Sequence, residues 1–476
     1  MFKFRILMSI TTSCNNNCKH CYMHEDSIYE NERKNALPIR DLVKILDQIE
    51  DFEKKYNVKM SDFNITGGDP LLRKDWEEFF QELQKKSDNI RVLANPESLT
   101  EKNLKKLKDF NVKEIQLSLD GLEKDHDLTR RKGSFKNTLN ALNLINDFGF
   151  ASSVRFTLYP SNKDSFIPLI KFLAKDTKLE KFSFAVGCAI GNARKNLTSF
   201  TPDELYEILS KYLDTKDELQ KQNCKLRFNH DAHLLKLILF ERGKYLPIPN
   251  PDFLLGCSTG FTPPQIGPDG GAYACKLLPI NIGKLPQQSF EEVFLGNIYL
   301  KKLRRAKYYA ACGNCHFYTV CRGCPSKVFA NTKDPFAENP FCFIDKIKRK
   351  VNLKKIERKE PDLNTNFQQE WDFISSKYNL FDKTKYIFKE KTFQKAYLNI
   401  YNSKKNIDFF LLDPNKYLSE NKLIVTDEEL SWLIFSFNDS EKVHNLFRRD
   451  LFANQIKNYQ IEQLIKKGSE VFNAEI

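Results

Sequence analysis

Apolar runs of strand length alternate with helical spacing through the first 200 residues. Arg5–Ile10, Asp62–Thr66, Ile90–Ala94, Glu114–Leu119, Val154–Leu158 and Lys181–Val186 read as short strands. Between them apolar positions recur at three- and four-residue steps. Ile39, Leu42, Val43, Leu46, Ile49 and Phe52 share one helical face; Leu139, Leu142, Ile145 and Phe148 share another that stops at Gly149. Repeated strand–helix units predict parallel pairing through right-handed crossovers, hence an α/β fold, either a β/α barrel or an open sheet. In such folds ligands sit at the carboxyl ends of the strands. Three of those ends carry unusual text: Cys14–Cys21 after the first strand, Gly67-Gly68-Asp69-Pro70 after the second and Ser118-Leu119-Asp120-Gly121 after the fourth.

The pattern changes after residue 200. Thr201-Pro202-Asp203 starts a helix, with Thr201 as cap and Pro202 at the first position, and residues 201–256 read as a helical linker. Residues 257–345 are rich in Gly, Pro and Cys and too weakly periodic for a conventional core, which predicts a segment held by metal. Residues 346–476 return to Lys- and Phe-rich helical text without cysteine, with one β-like stretch at Asn421–Thr426. His230-Asp231-Ala232-His233 falls in an apolar run read as helical and structural.

Composition narrows the chemistry. The chain lacks a run of about 18 apolar residues, the length a membrane span needs, and its first residues have no signal-peptide pattern. A cytoplasmic location is expected, with no membrane partner. There, the twelve cysteines are metal ligands or catalytic groups rather than disulfides. Three lie in Cys14–Cys21 and seven in Cys257–Cys342; Cys188 and Cys224 stand alone and read as core filler, with Cys188 the nearer to the strand ends. The formal charge of +13 suits an acidic partner, and its sharpest run is Lys346–Lys359, with eight basic residues against Glu357. A solvated helix face is the preferred reading of that run.

Cys14-Asn15-Asn16-Asn17-Cys18-Lys19-His20-Cys21 supplies three thiols on one short loop. Three thiolates hold three irons of a [4Fe–4S] cube and leave the fourth open, whereas structural zinc wants four ligands. This C-x3-C-x2-C after the first strand resembles the signature of the radical S-adenosylmethionine superfamily. The resemblance implies a partial (β/α)6 TIM-like barrel over residues 1–200. It also implies that His20 takes the aromatic place beside the adenine, that Gly67, Gly68 and Asp69 meet the methionine ammonium, and that Gly191 lies on the loop near the adenine. Ser118 and Arg130 are implied contacts to the cofactor's ribose and carboxylate; Arg130 is favoured over Arg131 by its offset from His126-Asp127.

The second cysteine set runs Cys257, Gly270-x4-Cys275, Cys312-x2-Cys315-x5-Cys321-x2-Cys324 and Cys342. It is similar to the SPASM extension, an irregular iron–sulfur domain over 257–345 with two auxiliary [4Fe–4S] clusters. Carried over by position, Cys312, Cys315, Cys321 and Cys342 hold one cluster, and Cys257, Cys275 and Cys324 the other, which keeps an open iron or a non-cysteine ligand. One departure stands out: two residues separate Cys321 from Cys324 where the family has three. Alone, Cys312–Cys324 also fits a zinc knuckle or ribbon.

The resemblance implies three [4Fe–4S] clusters, S-adenosylmethionine as cofactor, and a flavodoxin- or ferredoxin-type reductant. Reductive cleavage would give methionine and a 5′-deoxyadenosyl radical that takes a hydrogen atom from an unactivated carbon. The implied substrate is a ribosomally made peptide that is crosslinked, epimerised or oxidised; formylglycine formation on a sulfatase is the alternative enzyme reading. A zinc-dependent nucleic-acid-binding protein is the alternative of another class, with nucleic acid the less favoured partner. The tail, 361–476, is either a displaced leader-peptide module or, by preference, a helical cap over the barrel or an oligomer contact.

Overall fold

The computed structural model describes residues 3–24, 26–242, 256–347, 360–377, 391–401 and 403–438. The predicted strands are all present: β1 Lys3–Ser9, β2 Lys59–Thr66, β3 Asn89–Leu93, β4 Val112–Ser118, β5 Ala151–Leu158 and β6 Lys181–Val186. They pair in parallel, in sequence order. The helix Ile39–Tyr56 buries Leu42, Ile45, Leu46, Ile49 and Phe52, the stripe that its periodicity marks.

Four further strands extend this open sheet at its two edges. β7, Arg227–His230, adds in parallel to β6, with Phe228 opposite Phe182. This corrects the helical reading of His230–His233: the free edge of β6 draws the segment into the sheet, and the following helix begins only at Leu235. At the other edge β8, Gln265–Ile266, pairs in parallel with β1; β9, Gly271–Cys275, and β10, Leu278–Lys284, follow antiparallel. The cysteine-rich segment is therefore anchored on the sheet.

A single apolar core runs from Phe4 to Ile374. Its far end is Trp371, whose ring stands 6.2 Å from Phe4 and 5.5 Å from Phe52. Beside it, fully buried Glu370 takes hydrogen bonds from Arg304 at 2.9 Å and from Arg305 at 2.8 and 2.6 Å. A second core, from Phe393 to Ile434, gathers the four helices Lys391–Tyr401, Lys404–Leu412, Pro414–Glu420 and Asp427–Asn438. Asn421–Thr426 is not a strand: it is a turn and an irregular segment between the last two helices, with Ile424 at 85% exposure. It has β-branched residues, but among the described residues no strand pairs with it. Of the basic run Lys346–Lys359, only the first two residues lie within the described set. No helix among the described residues is long and apolar enough to cross a membrane.

Candidate functional site

Beyond β1 the backbone of Ile10–Ser13 lies against the end of β2. Ile10 N–H donates to Thr66 O, Gly68 N–H to Thr11 O at 3.0 Å, and Asp69 N–H to Ser13 O at 2.7 Å. A Cβ on Gly67 would stand 2.4 Å from Thr11 O, and one on Gly68 2.3 Å from Ser13 O. Close approach is what these glycines serve, but the approaching group is the chain's own backbone just before Cys14. Asp69 is likewise engaged inside the protein. Its fully buried carboxylate accepts from Leu71 N–H, Asn95 N–H and Ser98 Oγ, at 3.1, 3.3 and 2.5 Å. It thereby caps the turn Pro70–Leu72 and ties the loop after β2 to the loop after β3.

Two donors face the sulfurs. Asn95 Nδ2 lies 3.3 Å from Cys14 Sγ, and Arg130 Nη1 lies 3.7 Å from Cys18 Sγ. Arg130 also pairs with Asp120 at 2.7 Å, while Arg131 turns outward to Glu97. Asp120, fully buried, is the hub. It stands 3.7 Å from His20 Nε2 and accepts from Thr157 N–H at 2.8 Å, and its own N–H donates to His126. Burial pushes its carboxyl up, but Arg130, His20 and His126 more than reverse this and hold it at about 2. Burial lowers His20 and His126 to about 4, so both imidazoles are neutral near pH 7. His20 Nδ1 is buried without a hydrogen-bond partner. Ser118 ends β4 two residues before Asp120. Gly191, at φ 56°, packs where a Cβ would meet Cys21 O at 2.4 Å, and Asn192 donates to the carbonyls of Cys21 and Cys18.

The later cysteines fall into two sets. Cys312, Cys315, Cys321 and Cys342 act on one another, and Gly323 leaves room beside Cys312 Sγ. In the other set Cys257 Sγ lies 3.2 Å from Thr259 Oγ1, Cys324 and His233 pull its thiol below the ordinary range, and Cys275 ends β9. The shortened Cys321–Cys324 spacing is taken up by three consecutive left-handed residues, Arg322, Gly323 and Cys324, at φ 58°, 67° and 56°. The reversal sends the two thiols into different sets. Arg322 is fully buried and donates to Thr259 O, Tyr309 Oη and the carbonyls of Cys257 and Leu303. Among the described residues no carboxylate pairs with it.

These features fit iron–sulfur clusters. N–H groups aimed at thiol sulfurs and a buried cation without a carboxylate suit an anionic thiolate-bound cluster. Zinc draws its ligands to one point, whereas the thiolates of a cubane bind separate irons. Among the described residues no three His, Cys, Asp or Glu side chains converge on one ion.

Asp120, Asn95, His126, Tyr159, His233 and Arg322 were not among the sequence-derived candidates. Asp120 and His126 lie inside motifs already quoted, and Asn95-Pro96 follows a predicted strand, a position worth inspecting in any α/β fold. Tyr159 and Arg322 carry no local signal, and His233 belongs to the His230–His233 run read as structural. Of the lone cysteines, Cys224 packs on the first core, and Cys188 lies buried among Ile190, Leu277 and Ala330.

Thiols on a loop at one end of a parallel sheet, with a second cysteine field in the same chain, are the donor set that iron–sulfur clusters use. Residues 8–173 match the model of the radical SAM superfamily, and residues 257–316 match the SPASM iron–sulfur cluster-binding domain. The chain thus carries a radical SAM domain followed by a SPASM domain, and these two domains support S-adenosylmethionine and iron–sulfur clusters as its cofactors. It is 23% identical to the AdoMet-dependent heme synthase of Methanosarcina barkeri, over 71% of this chain and 95% of that one. It is 25% identical to the mycofactocin maturase MftC of Mycolicibacterium smegmatis, over 66% and 76%. Its fold is similar to that of Streptococcus suis SuiB bound to its precursor peptide SuiA, with TM-score 0.55 and 17% identity over 71% and 75% of the two chains.

Proposed function

We propose that this enzyme modifies a ribosomally made peptide, using three [4Fe–4S] clusters and a small flavodoxin- or ferredoxin-type reductant in the cytoplasm. The observation that carries the chemistry is the convergence of Arg130, Asn95 and His20 on the Cys14–Cys21 loop. Cys14, Cys18 and Cys21 would hold the first cluster. A cluster with S-adenosylmethionine supplies one-electron cleavage to methionine and a 5′-deoxyadenosyl radical. Arg130 and Asn95 donate toward the sulfurs, Asp120 fixes Arg130, and neutral His20 offers a buried ring edge to the cofactor. Gly67, Gly68 and Gly191 keep the cysteine loop pressed between the ends of β2 and β6. Ser118, at the end of β4, and Arg130, just after the helix Glu123–Thr129, would meet the cofactor's ribose and carboxylate.

Support for a peptide substrate comes from relatives whose names record maturation: MftC, and the sporulation killing factor maturation protein SkfB of Bacillus subtilis, 21% identical over 60% of this chain. The heme synthases favour a second reading, a haem-precursor substrate. The test is anaerobic turnover with S-adenosylmethionine and reductant, offering either the short peptide encoded beside this chain's gene or an iron porphyrin. Peptide-dependent 5′-deoxyadenosine with a mass change on the peptide supports the proposal. Stimulation by the porphyrin alone would replace it.

A further inference from the structure

The set Cys257, Cys275 and Cys324 offers three thiols where a cubane has four irons. Cys188 lies beyond β6, outside the segment that carries those three, and the fold brings it to them. Its peptide is fixed, since Tyr159 Oη donates to Cys188 O at 2.9 Å and Gly187 N–H donates to Leu158 O. Its side chain is 6% exposed and packs on Leu277, two residues after Cys275, and on Ala330, in the helix Pro325–Thr332 that Cys324 starts. The groups acting on its thiol are Lys327, Cys275 and Cys257, and Cys324 feels Cys188 in turn. A cysteine used only as core filler would have apolar neighbours on every side. This one has, besides its apolar neighbours, Lys327 and the thiols Cys257, Cys275 and Cys324 within electrostatic reach.

We infer that Cys188 is the fourth thiolate ligand of the auxiliary cluster carried by Cys257, Cys275 and Cys324. The inference rests on reading 257–342 as cluster-binding. Ligation exchanges the Sγ–H bond for an Sγ–Fe bond and releases the proton to solvent, with no electron transferred. Lys327 then faces a thiolate-bound anion rather than a neutral thiol. The cluster is closed, so it serves electron transfer and not substrate binding, and the barrel and the cysteine-rich segment are stapled through iron. His233 and Asp231 also stand nearby, but thiolate is the usual ligand of a cubane.

The test uses the full chain with Cys14, Cys18 and Cys21 changed to Ala, reconstituted so that only auxiliary clusters form, about eight irons. Cyanide probes for an open iron by electron paramagnetic resonance and Mössbauer spectroscopy. The parent should ignore cyanide. Cys188→Ala should either gain a cyanide-sensitive iron or fall to about four irons, while Cys224→Ala stays at the parent level. Cys188→Ser, checked by circular dichroism, separates ligand loss from misfolding. A parent that already binds cyanide overturns the inference, as does Cys188→Ala with parent spectra, or an open iron produced by His233→Gln and not by Cys188→Ala. If Cys257→Ala and Cys275→Ala also leave the iron count unchanged, the reading of 257–342 fails independently of Cys188.

Discussion

Cys14, Cys18 and Cys21 sit within eight residues on one loop, whereas the seven thiols from Cys257 to Cys342 come from separate turns, a strand end and a helix start. The first field is placed by the sheet. Strand register delivers Gly67–Asp69, Asn95 and Asp120 to one face, and each holds the cysteine loop or its partners. The second is placed by a loop reversal at Arg322–Cys324 and by a guanidinium that satisfies backbone carbonyls. Both fields contain a buried arginine, with opposite accounting of charge. Arg130 is neutralised within the protein by Asp120, so the first site keeps its electrostatics before any ligand arrives. Arg322 has carbonyls and the rings of Phe261, Tyr309 and Tyr318 around it and no carboxylate among the described residues, so an anion bound nearby would match its charge.

Independence of the two fields is the first thing to break. Changing Cys14, Cys18 and Cys21 together to Ala should abolish 5′-deoxyadenosine formation and remove about four of about twelve irons. Chromatography of the nucleoside and iron analysis check both. Parallel loss of auxiliary iron would show that the fields assemble as one.

The next largest effect lies at Glu370, which buttresses the second field from behind. Burial alone would raise its carboxyl, but Arg305 and Arg304 hold it at about 2, below the ordinary 4.5. A depressed carboxylate contributes its stability in full above the ordinary value and loses it as pH falls toward about 2. Glu370→Gln should therefore cost about 3–5 kcal/mol near pH 7, through two buried cations left unpaired. The penalty should shrink between pH 4.5 and 2. Urea titrations across that range check the sign.

The arginines sharpen the contrast further. Arg130→Lys removes a fork that reaches both Asp120 and Cys18, and a charged hydrogen bond of about 1.5–3 kcal/mol corresponds to roughly a ten- to hundredfold slower cleavage of S-adenosylmethionine. Arg322→Lys should leave that rate unchanged and instead perturb the auxiliary-cluster spectra. A slowed cleavage in both variants would mean that the second field feeds the first.

How much was legible depends on the range of the signal. The six parallel strands and the cysteine loop are local: apolar runs, helical stripes and a tight spacing name them directly. The two cysteine sets were sorted by resemblance, because spacing alone could not assign Cys324 and Cys342 to one set or the other. What stayed hidden is nonlocal. β7 exists because β6 has a free edge, and Arg322's role depends on carbonyls at Cys257 and Leu303. At Gly68 a sequence shows that a backbone comes close but not which one, and the structure puts the Ser13 and Thr12 carbonyls there. Asn421–Thr426 shows the reverse error, β-branched residues with no strand among the described residues to pair with.

The smallest effects belong to single methyl groups, and they test the comparison most finely. At Gly68 an added Cβ meets Ser13 O at 2.3 Å and Thr12 O at 2.6 Å; at Gly256 it meets Cys321 N and Val320 C, both at 2.7 Å. Each contact is with backbone, so each field's cysteine loop must move. Gly133, at φ 81°, has nothing within 4 Å of its would-be Cβ, and Gly133→Ala should cost only the left-handed strain, about 1 kcal/mol. Gly68→Ala and Gly256→Ala should each cost about 1–3 kcal/mol by overpacking, but the telling readout is iron. Gly68→Ala should deplete the radical cluster alone, and Gly256→Ala the auxiliary clusters alone, as judged by spectra of anaerobically reconstituted protein. Should Gly68→Ala instead keep all its iron and its stability while losing only affinity for S-adenosylmethionine, the space beside Gly68 belongs to the cofactor after all, and the loop is held in place by Asp69 and Asn95.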